Sequence, residues 1–235
     1  MSRELPELIL STLSAGPVGT GDALGQIDAA NLKRAVRADS VLLKPDVPIE
    51  PIDASFVSDA RVSSAPMVAA TRSGDEVEVF AYPRASSQAQ ATVSLRQLGI
   101  QGPAYAWDWV RHTGNRIPAG GTLAMPFQDG WAYWVVTPLD KDGIAVLGDT
   151  KQIVPLSRER FPSVRNSAKA RVTVAYARGE EAVTLTGYAL SRPILRAVKG
   201  SLDAVQYFHG THLFRVTLHP VADARTAEVL IRHGP

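Results

Sequence analysis

The sequence predicts a mainly β protein, an antiparallel β-sandwich preceded by a short helical segment. Three observations carry this. From Pro66 onward, short β-rich runs alternate with Gly, Pro and Asp punctuation, the pattern of all-β domains. Several runs alternate polar and apolar residues with period two. In Glu76-Val77-Glu78-Val79-Phe80, glutamates and valines take opposite faces, and Arg171–Tyr176 and Val183–Thr186 behave alike. Helical periodicity is confined to two stretches near the start.

The first is residues 4–14, where Leu5, Leu8, Ile9, Thr12 and Leu13 recur at helical spacing and Pro6 suits the first turn. A loop follows, Ser14 to Asp22, holding Gly16, Pro17, Gly19 and Gly21. Glycine has no Cβ, so such a turn lets backbone approach a ligand closely. It lies close behind Met1 with little before it to form a site, which predicts that the chain is the tail of something larger. The second helix is expected over 29–37, capped by Asp28, with Ile27 stapled to Leu32. Pro45, Pro48 and Pro51 then stop any helix and give an extended connector. The expected division is 1–62 for helices, loop and connector, and 63–235 for the β-sandwich.

Strands are expected at Met67–Thr71, Glu76–Tyr82, Ala91–Gln97, Ala104–Val110, Leu123–Pro126, Trp131–Pro138, Ile144–Leu147 and Ile153–Leu156. They continue at Arg171–Ala177, Ala182–Tyr188, Leu195–Lys199, Ala204–Phe208, His212–His219 and Ala227–Arg232. Ser73-Gly74-Asp75 and Arg178-Gly179-Glu180 read as the tips of two hairpins.

Composition limits the function classes. A hydrophobic fraction of 45% with 20% charged residues is that of an ordinary globular protein. No run approaches the about 18 apolar residues of a membrane span. The segment MSRELPELILSTLSAG makes a poor signal peptide, because Glu4 follows Arg3 at once and Glu7 interrupts the apolar region. Basic and acidic residues number 25 and 23 and are interspersed, which argues against nucleic-acid binding. With no cysteine, disulfides, thiolate zinc sites and cysteine nucleophiles are excluded.

Few residues point to chemistry. The glycine loop has neither GxxxxGK[ST] nor GxGxxG, so it is not a phosphate cradle. Tyr105, Trp107 and Trp109 alternate and share one face of a strand. Such aromatics fill sandwich cores; the alternative is an exposed platform for sugar rings. Asp108 and Arg111 beside them are expected to face solvent. His209 and His212 have a chelating spacing but no third ligand nearby, so no metal is expected. No G-x-S-x-G supports serine catalysis. Arg158, Arg160 and Arg165 read as a solvated edge rather than an anion site.

One stretch carries a resemblance. Leu13-Ser14-Ala15-Gly16-Pro17-Val18, then Gly21-Asp22 and Gly25, are followed by the run from Asn31 to Asp46, NLKRAVRADSVLLKPD. Together they resemble the last barrel strand, closing helix and proline exit of retaining glycoside hydrolases of the α-galactosidase and raffinose-synthase type. Gly143–Asp149 and Ala182–Tyr188 resemble strands of the C-terminal antiparallel domain that follows the barrel in those enzymes.

The resemblance implies that the helical segment is the remnant of an (α/β) barrel. It implies a parent that hydrolyses or transfers α-linked, galactoside-like substrates, with the carbohydrate held through the N-terminal barrel. The family's catalytic aspartates lie on earlier barrel strands, so no catalytic residue carries over to this chain. The resemblance places Asp22, with Gly21, at the active-site end of the barrel, as a contact for sugar hydroxyls when a barrel is attached. No cofactor, nucleic acid or membrane is implied. The alternative function is a stand-alone carbohydrate-binding or interaction β-sandwich.

Overall fold

A computed structural model describes residues 4–19, 28–57, 63–165, 170–221 and 224–234. It is mainly β, and every strand pairing is antiparallel. Helix α1 spans Glu4–Leu13. Its Leu8, Ile9, Thr12 and Leu13 form one buried face, as the helical spacing predicts. Glu4 and Glu7 lie in the first turn, where negative charge complements the helix dipole. Ala15 ends it at φ 56°, a left-handed cap.

Helix α2 is a single turn, Ala29–Leu32. Asp28 caps it as expected, its Oδ1 accepting from Ala30 N at 2.8 Å. The predicted continuation to residue 37 does not form. Instead the chain folds back on itself: Arg37 N donates to Val41 O, Leu43 N donates to Ala35 O, and Val36 bridges Leu42. Ser40 takes the turn at φ 65°. The staple partner Ile27 lies outside the described residues.

Two compact units divide the chain, one from 47–139 and one combining 1–46 with 140–235. In the 47–139 unit the elements are β1 (Glu50–Pro51), α3 (Asp53–Phe56), β2 (Met67–Ser73), β3 (Glu76–Tyr82) and β4 (Gln90–Ser94). They continue with β5 (Ala104–Asp108), β6 (Thr113–Ile117), β7 (Thr122–Pro126) and β8 (Ala132–Pro138). Six strands form a sheet in the order β1-β2-β3-β8-β5-β6, and β4 pairs β7 separately. Val77, Val79, Ala106, Trp134 and Val136 from the large sheet meet Ala91, Val93, Leu123 and Met125 from the small one in a single core.

The β2–β3 hairpin turns where expected. Ser73 pairs with Glu76, leaving Gly74-Asp75 as a two-residue loop with Gly74 at φ 64°, which suits a twist-matched hairpin turn. The other face of β3 carries Glu76, Glu78 and Phe80, all buried. Both glutamates accept hydroxyl hydrogen bonds. Ser73 Oγ donates to Glu78 Oε1 at 2.6 Å, and Thr137 Oγ1 to Glu76 Oε2 at 3.0 Å. These bonds offset part of the cost of burying carboxylates. Burial, with the two carboxylates nearby, pushes the Tyr133 hydroxyl well above the usual phenol range.

Among the described residues, the second unit holds α1, α2 and nine strands. These are β9 (Ile144–Gly148), β10 (Ser163–Arg165), β11 (Ala170–Ala175), β12 (Val183–Ala189), β13 (Ile194–Lys199), β14 (Ser201–Leu202), β15 (Gln206–Phe208), β16 (Leu213–His219) and β17 (Thr226–Arg232). One sheet runs β10-β11-β17-β13. The other runs β14-β16-β12-β9, with β15 also on β16. Val172, Val174, Val229 and Ile231 of the first face Val146, Leu185, Phe214 and Val216 of the second in one core. This is a β-sandwich in which each sheet contributes a face to the shared core, and β9 is buried along its whole length.

The predicted hairpin 171–188 is not formed. β11 pairs β10 and β17, whereas β12 pairs β16 and β9. Residues 176–182 carry the chain from one sheet to the other, because Val172 and Val174 enter the core from one side and Val183 and Leu185 from the other. Ile153–Leu156 is likewise not a strand. It is a buried turn segment, held by Ile153 N donating to Arg34 O at 2.7 Å and Asp149 N to Pro155 O at 3.1 Å.

Candidate functional site

Gly21 and Asp22 lie outside the described residues. Tyr105 and Trp107 sit on β5 and Trp109 just past its end, each 1% exposed. The Tyr105 hydroxyl lies over Gly114, 2.6 Å from where a Cβ would be. The Trp109 ring tilts against Tyr133 at 5.7 Å. These rings fill a core and offer no exposed face on which a sugar can stack.

Asp108 corrects the sequence reading. It is 2% exposed, and its Oδ1 accepts from Val110 N and Arg111 N at 3.0 Å while Arg111 Nη1 meets Oδ2 at 2.8 Å. Aspartate closes such turns because its short side chain reaches backbone two residues on. His209 and His212 hold no metal group; among the described residues no cluster of three ligating side chains exists. His212 Nδ1 lies 2.9 Å from the Tyr207 hydroxyl, and His209 packs edge-on against the same ring at 4.9 Å.

The three arginines differ. Arg158 is exposed and pairs with Asp46 at 2.8 Å. Arg165 is exposed. Arg160 is not at a solvated edge. Its side chain is 3% exposed, because its backbone pairs with Ala175 and its Nη1 also donates to Ala175 O at 3.0 Å. Both terminal nitrogens meet Glu180, Nη2 at 2.8 Å from Oε1. Glu180 Oε2 in turn accepts from Ala177 N at 2.9 Å. Nothing local in the sequence signals this pair, since its members are 20 residues apart and joined only by the sandwich.

Arg160 and Glu180 line a cleft of about 520 Å³ within the second unit. Asp149, just past β9, and the residues around α2 complete it: Lys33, Arg37, Lys151 and Gln152 lie on its wall, with Ser40 and Thr184 supplying hydroxyls. Gly148 at φ 74° turns the chain into the cleft wall. Burial pushes the Asp149 carboxyl up, against the pull of its bond from Lys151 N at 3.2 Å and of Arg160. Arg37 is held by Asp39, Nε to Oδ1 at 2.9 Å, and donates from Nη1 to Glu159 O at 2.7 Å. That pair raises the guanidinium and lowers the Asp39 carboxyl to about 2. The arrangement is a cationic, hydroxyl-bearing concavity suited to holding a ligand. A half-buried acid, Asp149, and the pair of buried Arg160 with half-buried Glu180 sit on its wall.

No protein-family model matches the chain, and no curated protein matches it.

Proposed function

We propose that this chain is the non-catalytic C-terminal portion of a carbohydrate-active enzyme, an α-glycoside hydrolase or transglycosidase of the α-galactosidase-like kind. One observation carries the reading. Residues 13–18 and 31–46 resemble the closing segment of that family's barrel, and the residues after them fold into antiparallel sheets. In such a parent the glycoside is cleaved through a covalent intermediate, which needs two carboxyl groups about 5–5.5 Å apart. The resemblance places both upstream of this chain, whose role is to support the barrel. Carbohydrate is the parent's partner, met through Asp22 and Gly21 when the barrel is attached.

A second reading is a stand-alone interaction β-sandwich. It is favoured by the burial of the apolar face of α1, Leu8, Ile9 and Leu13, where a severed barrel end is expected to leave that flank open. The carbohydrate-platform version is weakened by the burial of Tyr105, Trp107 and Trp109. An assay of the 235-residue chain on aryl α-galactosides tests the first reading. No turnover is expected, and genuine turnover abolished by one carboxylate substitution in this chain contradicts it.

A further inference from the structure

We propose that the cleft around Arg160 binds a small organic oxyanion, a carboxylate or a phosphate monoester. The cleft belongs to the unit of 1–46 and 140–235, and the proposal does not depend on the glycoside reading.

Charge is the first argument. Four cations, Lys33, Arg37, Lys151 and Arg160, line the cleft against two carboxylates, Asp149 and Glu180. Glu180 is committed to Arg160, and Arg37 to Asp39. Lys33 and Lys151 have no ion pair among the described residues. The remaining acid, Asp149, is the one whose burial disfavours its charge. The lining therefore carries an excess of positive charge on two lysines that can turn toward a ligand.

The second argument is an unsatisfied donor. Arg160 donates from Nη1 to Ala175 O and to Glu180, and from Nη2 to Glu180 Oε1, but its buried Nε has no acceptor among the described residues. A guanidinium N–H withdrawn from water without a partner is costly, and a charged acceptor is its strongest complement. Size and polarity agree. About 520 Å³ suits a small metabolite, and the Ser40 and Thr184 hydroxyls provide neutral hydrogen bonds for a hydroxylated ligand.

The test is titration of the full chain with inorganic phosphate, galacturonate and neutral galactose, read by calorimetry and by the arginine Nε–H resonances. At least one anion is expected to bind and to move the Arg160 Nε–H signal. The K33A/K151A variant is expected to keep its melting temperature and to bind about tenfold more weakly, the loss of a charge-assisted contact. Binding of phosphate alone assigns a phosphate monoester, and binding of galacturonate alone assigns a carboxylate. The proposal is overturned if neither anion binds or if galactose binds as tightly as the anions. Unchanged binding by the variant overturns it too, and means an adventitious ion only.

Discussion

Arg160 grips Glu180 through both ends of its guanidinium, in a sandwich where its own side chain is almost wholly withdrawn from water. A buried charge with a removed partner is far less stable than a buried pair. Glu180→Gln is therefore expected to cost about 3–5 kcal/mol in denaturant unfolding. The double change R160M/E180L is expected to cost less than either single change. A single substitution that leaves the unfolding midpoint in place shows that the pair is not buried as described.

Asp39 and Asp149 are expected to titrate on opposite sides of the ordinary carboxylate range. Hydrogen bonding to Arg37 lowers Asp39 to about 2. Its contribution to stability is present above the unfolded value and disappears as pH falls through about 2. Its exposure and salt screening keep that contribution small. Burial raises Asp149, so the sign reverses. The protonated form favours the fold below the unfolded value, and that advantage is lost as pH rises through the folded one. Asp149→Asn is thus expected to melt higher than wild type at neutral pH, with the gap closing on acidification. Carboxyl resonances followed against pH give the order directly, and Asp149 titrating below Asp39 contradicts it.

Gly148 is expected to be intolerant. It sits at φ 74°, and a Cβ there would lie 2.7 Å from Pro155 C and 2.8 Å from Leu156 Cδ2. Gly148→Ala combines left-handed strain of about 1–2 kcal/mol with overpacking of about 1–3 kcal/mol. Because the turn also shapes the cleft wall beside Asp149, the variant is expected to lose anion binding as well as stability. Thermal unfolding of this variant checks the first part, and an unchanged midpoint contradicts it.

Trp107 is expected to act through packing alone. Trp107→Ala should cost about 3–5 kcal/mol, while saturating galactose should leave the intrinsic tryptophan emission of the wild-type chain unchanged. An emission shift that follows sugar concentration means that the aromatic cluster opens to ligand.

Legibility followed how local each cause is. The β2–β3 hairpin could be read because Gly74-Asp75 and the alternation of Glu76–Phe80 lie next to each other in the chain. The Asp28 cap was readable for the same reason, its partner being two residues away. The sheet switch between β11 and β12 was not, since a glycine-bearing tip looks alike whether its flanking strands pair or separate. Asp108 and Arg160 were misplaced because charge argues for solvent, and only the distant backbone and carboxylate that surround them reverse that. The 29–37 helix was cut short by the contact of 35–37 with 41–43, which helical spacing does not encode. The cleft draws on residues from 33 to 184, so no single motif announces it.

The most direct test of the account is the intact mass of the protein isolated from the cells that make it. The chain described here has a mass of 25.2 kDa. On the proposed hydrolase reading, a far heavier species is expected, with a barrel upstream that carries the two catalytic carboxylates. A native mass of 25.2 kDa contradicts the hydrolase reading and favours the stand-alone interaction β-sandwich.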